Sequence, residues 1–272
     1  MSKPIEKELS IPGRPNVTGK VLIAGEGEPL VFLHGAGGLV WDPYLEKLSE
    51  HYKVYAPYHP GTGGTIGSEE IRDWWDLVLY YYDLFDELKL DTVNVIGHSF
   101  GGMVAAELAA TDPKRVNQLV LLSATGLWME DVPSTDVFTL TNTPDALFAA
   151  MFVDPESSAA QVMKELPEDP DEQLKALVEN RMSLAETSKY MWPIPDKGLS
   201  RRIHRIQAET CIIWGEKDGL IPVDYAYEFK RLIKNAKQVN VFENASHFPQ
   251  LEELDKTVKT TRDFLASKSA VK

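Results

Sequence analysis

The chain has 272 residues, a single cysteine and a formal net charge of −13. One cysteine excludes an internal disulfide, so the fold rests on packing alone, and the acid surplus disfavours nucleic acid and anionic membranes as partners. No apolar run reaches the roughly 18 residues that span a bilayer, and the first eight residues, Met1 to Glu8, lack the apolar core of a secretory signal. A cytoplasmic location is expected.

The first thirty residues read as an edge hairpin: alternating segments from Val17 to Ile23, a turn at Gly25-Glu26-Gly27-Glu28-Pro29, then Leu30-Val31-Phe32-Leu33. The last run does not alternate, which suits a strand buried on both faces of a parallel sheet. It ends in the glycine loop His34-Gly35-Ala36-Gly37-Gly38, before Trp41, Tyr44, Leu45 and Leu48 recur at helical spacing. Val54 to Pro57 is the next strand, and the breaker-rich His59-Pro60-Gly61-Thr62-Gly63-Gly64 follows it. Ile71 to Leu90 predicts a long helix whose aromatic residues pack on the sheet.

Val93 to Ala106 predicts a strand, a sharp turn and a helix, with Ser99 at the apex of Gly97-His98-Ser99-Phe100-Gly101. A serine on such a turn is backbone-strained, and Gly97 and Gly101 remove the Cβ atoms that would collide. Ser99 is the candidate nucleophile, and the N–H of Phe100 is a candidate oxyanion donor. The second donor is expected from the glycine loop, at Ala36 or, failing that, Gly37. His34 and His98 sit inside glycine motifs, where supporting hydrogen bonds are expected.

Leu119 to Leu122 is another buried strand, after which the alternation stops. From 126 to 202 the pattern is helical with proline breaks. One helix starts at Thr143-Pro144; another, capped by Asp169-Pro170-Asp171-Glu172, carries Leu174, Leu177, Val178 and Met182 on one face that packing would bury. This segment is expected as a cap over the sheet, with Trp128, Phe148, Met151, Phe152 and Trp192 facing a substrate pocket together with Phe248. One core domain, 1–125 and 203–272, is expected around the insertion. Cys211 to Trp214 and Gln238 to Phe242 resume the strands, with a helix between them from Val223 to Lys234, and a last helix carries Leu251, Leu254, Val258 and Leu265. Ser267 to Lys272 is expected to fray.

A serine hydroxyl needs a base, and the base needs an orienting acid. Asp218 follows the strand at Trp214 and His247 follows the strand at Phe242, giving the chain order Ser, Asp, His. Glu216 is the rival acid, two residues from Asp218; His51, His59 and His204 follow no matching strand. No metal-ligand spacing and no dinucleotide fingerprint occur, so neither metal nor cofactor is expected.

The four stretches His34-Gly35-Ala36-Gly37, Gly97 to Gly102, Trp214 to Asp218 and Ser246-His247-Phe248 together resemble the α/β-hydrolase superfamily. That resemblance implies an α/β fold with an eight-stranded, mostly parallel sheet, flanking helices and a helical cap. With the Ser, Asp, His order it points to a serine hydrolase for carboxylic esters, and the apolar residues of the cap suggest a small to medium, fairly hydrophobic small molecule as substrate. Hydrolysis of a carbon–carbon bond or a lactone on the same residues is the alternative, and a ligand-binding receptor the rival from another class. Serine at the elbow separates the chain from the aspartate-nucleophile branches. Tyr58-His59-Pro60-Gly61 replaces the acid-bearing loop common in the family, so a different pocket floor is expected. The tryptophan that carbon–carbon bond hydrolases carry soon after the histidine is Phe248-Pro249-Gln250 here; Arg181, Arg201, Arg202 and Arg205 are the candidates for their carboxylate-reading arginine.

Overall fold

The computed structural model describes residues 3–194 and 196–269. These form one eight-stranded sheet in the order β1-β2-β4-β3-β5-β6-β7-β8. The strands are β1 (Ile5–Ile11), β2 (Arg14–Ala24), β3 (Pro29–Leu33), β4 (Lys53–Pro57), β5 (Val93–His98), β6 (Val116–Leu122), β7 (Glu209–Gly215) and β8 (Ala236–Phe242). From β4 through β3 to β8 every pairing is parallel, while β2 runs antiparallel to both β1 and β4.

The edge hairpin is one strand earlier than the sequence pattern implied. β1 pairs with β2 through a turn at Gly13, which holds φ +73°, and β4 separates β2 from β3. Polar alternation in Ile5–Ile11, largely exposed, hid that strand; the stretch from Gly25 to Pro29 is a connection between non-adjacent strands rather than a hairpin turn.

Helices α1 (Pro43–Ser49), α2 (Trp74–Glu87) and α3 (Phe100–Thr111) cover the sheet. Asp42 caps α1 by accepting the Leu45 N–H at 2.9 Å, and Asp73 caps α2. As expected, Trp74, Tyr80, Tyr81 and Phe85 of α2 are buried against the core; Trp75 faces solvent. α3 is buried along nearly its whole length, because glycine and alanine let it lie close between β5 and α2.

Between β6 and β7 lie α4 (Val137–Leu140), α5 (Pro144–Met151), α6 (Ser158–Lys164) and α7 (Pro170–Met191), with short 3₁₀ turns after them and no strand among the described residues. Asp169 caps α7 by accepting from Asp171 and Glu172, as its spacing predicts. The face of α7 is reversed, however: Leu174, Leu177, Val178 and Met182 are exposed, and the buried side carries Ser183, Thr187, Tyr190 and Met191. The surface that α7 covers is made of glycine-rich backbone, which offers polar groups that need polar partners.

Helices α8 (Asp224–Leu232), α9 (Pro249–Glu252) and α10 (Leu254–Ser269) complete the order. α10 continues through Ser267, whose Oγ donates back to the Phe264 carbonyl, instead of fraying there; residues 270–272 lie outside the described residues. No helix among the described residues is long and apolar enough to cross a membrane.

Candidate active site

β5 delivers the elbow. Ser99 sits at φ 53°, ψ −116°, between the end of β5 and the first residue of α3. A non-glycine residue held there is strained and persists only where its surroundings over-determine it. Those surroundings are close: a Cβ on Gly97 would lie 2.4 Å from the Gly101 carbonyl oxygen, and one on Gly101 would lie 2.0 Å from that of Leu33. The turn leaves Ser99 partly exposed between the buried His98 and Phe100. Phe100 opens α3, so its N–H belongs to the first helical turn, whose donors lack intrahelical partners and favour negative charge.

β7 and β8 deliver Asp218 and His247 to the same sheet end. His247 Nδ1 lies 3.0 Å and 3.1 Å from the two carboxylate oxygens of Asp218. The Leu220 and Ile221 N–H groups both donate to Asp218 Oδ1 at 2.9 Å, which fixes the carboxylate in its turn. Both side chains are buried, whereas Glu216 is exposed and does not reach the histidine. An imidazole whose Nδ1–H is held by a carboxylate presents Nε2 to accept a proton.

A cavity of about 670 Å³ brings Ser99, His247, His34, Gly35, Ala36 and Gly37 onto one surface. Gly35 passes beside the elbow: a Cβ there would be 3.4 Å from Ser99 Cβ and 3.2 Å from His98 Nδ1. Phe148, Met151 and Phe248 also line the cavity, as expected. Trp128, Phe152 and Trp192 do not. Phe152 is buried behind the wall, stacked 5.1 Å from Phe248 and 5.9 Å from Phe148, while Trp192 points to solvent and Trp128 is half-buried elsewhere. Aromatic content alone cannot separate a wall from the layer that supports it.

Histidines supply the supporting bonds. His98 Nε2 meets the His247 carbonyl at 2.9 Å, so that nitrogen carries the proton. Burial holds His98 down to about 3, with the neighbouring His247 adding to the effect. His59 is the residue the sequence did not reveal. The Tyr81 hydroxyl donates to its Nδ1, its Nε2–H donates to the His34 carbonyl at 2.8 Å, and its N–H donates to His34 Nε2 at 3.2 Å. His34 Nδ1 in turn donates to the Gly35 carbonyl at 2.7 Å. Burial keeps both rings neutral, His59 down to about 4 and His34 well below its ordinary value. The chain of bonds ends on the peptide whose N–H is Ala36's. Trans peptides hold C=O and N–H antiparallel, so pinning the Gly35 carbonyl aims the Ala36 N–H the other way. His59 fills the loop that lacks the family's usual acid, and Tyr58 lines the cavity there. The only signal for it was its position in a breaker-rich loop after a strand.

The segment between β6 and β7 is fastened to these loops. The carbonyls at the end of α5 accept from three directions: Ala150 from the Gly219 N–H and the Ser246 hydroxyl, Met151 from the His247 N–H at 3.0 Å. Of the four arginines considered, Arg181 lines the cavity and donates to the Thr141 carbonyl. Arg202 forks onto the buried Glu107 of α3, and Arg201 and Arg205 are exposed. Among the described residues no group of three or more histidine, cysteine, aspartate or glutamate side chains could hold a metal ion.

Known proteins share this architecture. A family model described as alpha/beta hydrolase fold matches residues 28–254. A 2-hydroxy-6-oxo-2,4-heptadienoate hydrolase of Pseudomonas putida is 29% identical over 264 residues, covering 89% of this chain and 91% of its own. A pimeloyl-[acyl-carrier protein] methyl ester esterase of Aliivibrio fischeri is 30% identical over 267 residues, covering 89% and 95%. The crystal structure of a putative lipase from Acinetobacter baumannii superposes with a TM-score of 0.75 at 23% identity, covering 99% of this chain and 93% of the lipase. The match across most of the chain, together with the sheet order and the named hydrolases and esterases among its relatives, makes this chain a member of the alpha/beta hydrolase fold family and an enzyme of the hydrolase class.

Proposed function

We propose that the protein is a serine hydrolase that cleaves carboxylic esters carrying a small to medium, fairly hydrophobic group. The observation that carries this reading is the strained Ser99 and the Asp218-held His247 meeting on one cavity wall. Ser99 Oγ attacks the ester carbonyl while its proton passes to His247 Nε2. The charge that develops on the carbonyl oxygen is met by the N–H groups of Phe100 and Ala36, donors that need no reorganisation at the moment of reaction. His247 then protonates the departing alkoxide, leaving an acyl group on Ser99. Water, deprotonated by His247, releases the acid and restores the hydroxyl. Asp218 holds the imidazole in the required tautomer and stabilises its charged form.

Phe148, Met151, Leu147, Val162 and Phe248 make one side of the cavity apolar, which suits an aliphatic or aromatic acyl group. Initial rates on nitrophenyl esters of increasing acyl length, with Ser99→Ala in parallel, test the reading. Turnover that peaks at one length and disappears in the variant supports it; turnover that survives in Ser99→Ala contradicts it.

Carbon–carbon bond hydrolysis is the second reading. Its support is the likeness to the Pseudomonas putida hydrolase and the presence of Arg181 on the cavity wall, where a substrate carboxylate would find a partner. A folded protein inert to every ester but active on a dienoate ring-fission product would favour it.

A further inference from the structure

Helix α7 turns a polar face to the backbone loop that carries Ala36. Asn180, Ser183 and Thr187 recur at the spacing of one helical face. Asn180 Nδ2 donates to the Gly37 carbonyl at 2.8 Å, and Ser183 Oγ donates to the Ala36 carbonyl at 2.9 Å. Thr187 Oγ1 lies 3.4 Å from the same carbonyl but 2.8 Å from the Ser183 carbonyl one turn back, so Ser183 is the principal holder. Glu179 accepts the Gly63 N–H at 3.1 Å on the neighbouring loop. Both glycines lie against α7: a Cβ on Gly38 would be in ordinary contact with Ser183 Oγ at 3.5 Å and one on Gly37 would lie 3.7 Å from Asn180 Nδ2, so it is the φ of +110° at Gly38, not space, that calls for glycine there. The loop is thus held from two sides, with Gly35 against Ser99 and His98, and Gly37 and Gly38 against α7.

We propose that Asn180 and Ser183 are positioning residues for the oxyanion hole: α7 pins the Ala36 and Gly37 carbonyls and so holds in place the loop that supplies the Ala36 N–H, with the Gly37 N–H as the alternative donor. His34 orients the peptide ahead of Ala36, and Ser183 orients the one after it. Pinning the Ala36 carbonyl toward α7 turns the Gly37 N–H away from α7, and the Gly38 N–H, on the peptide whose carbonyl Asn180 holds, closes the loop by donating to the Gly35 carbonyl at 3.4 Å. Three of the five residues from 34 to 38 are glycine, so the loop's backbone resists rotation chiefly through such bonds. This makes the segment between β6 and β7 a part of the catalytic apparatus as well as a wall of the cavity. The inference rests on the reading of Ser99 as nucleophile.

The test uses phenylboronic acid, whose boron accepts the Ser99 oxygen and places a hydroxyl where the oxyanion would lie. Its affinity therefore reads the hole without requiring that the natural substrate be known. Asn180→Asp keeps the shape and removes the donor at an exposed site, so it should fold. Ser183→Ala removes the buried hydroxyl, and Ser183→Thr restores one. Misaiming a donor costs less than deleting it, so Asn180→Asp and Ser183→Ala should each weaken boronate affinity on the order of tenfold, with Ser183→Thr recovering part of the loss. On any ester turned over, kcat should fall by the same factor while KM changes little. Unchanged boronate affinity in Asn180→Asp and in a folded Ser183→Ala, alongside a wild type whose binding depends on Ser99, overturns the positioning role alone. Wild-type binding that survives Ser99→Ala overturns the nucleophile reading, and the inference with it.

Discussion

The Nε2–H of His98 donates to the carbonyl of His247 at 2.9 Å, with the two rings 5.0 Å apart. The residue before Ser99 therefore holds the backbone of His247. Deleting this donor leaves a buried carbonyl unpaired, at a cost of about 1–3 kcal/mol. His98→Ala should lose both stability and activity. His98→Gln, which keeps a side-chain donor, should retain more of each; equal losses in kcat for the two would show that the bond does not position His247.

Glu107 of α3 is fully buried and receives two hydrogen bonds from Arg202, at 2.5 and 2.8 Å, and one from Trp74. The pair ties the chain returning from α7 to the helix that follows Ser99. Arg202→Ala would strand a carboxylate in the core, so unfolding in urea should show a loss of about 3–5 kcal/mol. A loss below about 0.5 kcal/mol, the scale of ordinary surface changes, would mean that Glu107 finds another partner.

Acid should destabilise the fold through the buried histidines. Folded, His59 is held down to about 4 and His98 to about 3, against 6.5 for an exposed ring. The unfolded chain takes up these protons first, so their contribution is full above about 6.5 and is lost as pH falls toward the folded values. Asp42 acts in the opposite direction. Burial pushes its carboxyl from 3.8 up to about 7, so its favourable contribution is present below 3.8 and lost as pH rises through about 7. Urea midpoints should therefore fall from pH 7 to pH 4 in the wild type, and the stability of Asp42→Asn relative to wild type should rise from pH 4 to pH 7. A flat difference across that range would contradict the assignment for Asp42.

Gly101→Ala should be the most damaging of the conservative substitutions at the elbow. Its Cβ would stand 2.0 Å from the Leu33 carbonyl oxygen, a backbone atom that cannot swing aside. Overpacking costs about 1–3 kcal/mol where side chains can adjust, and more where they cannot. Little soluble protein, or a melting temperature far below wild type, is expected. A variant with wild-type melting temperature and activity would show that the elbow can open.

The strands that build the site were legible because each is a short apolar run bounded by turn residues, as at Leu30–Leu33, Val93–Gly97 and Cys211–Trp214. The meeting of Ser99, Asp218 and His247 at one sheet end was legible because each lies just beyond such a run. β1 is not legible because Ile5–Ile11 alternates polar residues on an exposed edge, and a pairing register is not written in one strand alone. The buried face of α7 differs from the one its periodicity predicts for a related reason. Periodicity reports the apolar stripe, yet the surface beneath this helix is backbone, which selects Asn180, Ser183 and Thr187. The role of His59 is not legible because its partners, Tyr81 and the His34 carbonyl, come from distant segments that only the folded sheet brings together.

The central claim is that Ser99 forms a covalent bond to the substrate. Intact-protein mass measurement after rapid mixing with a nitrophenyl ester, followed by peptide mapping, tests it most directly. An acyl adduct on Ser99 that forms and decays with turnover and is absent in Ser99→Ala is the predicted result. Steady turnover with no adduct at any time, or an adduct mapped to another residue, would contradict the account.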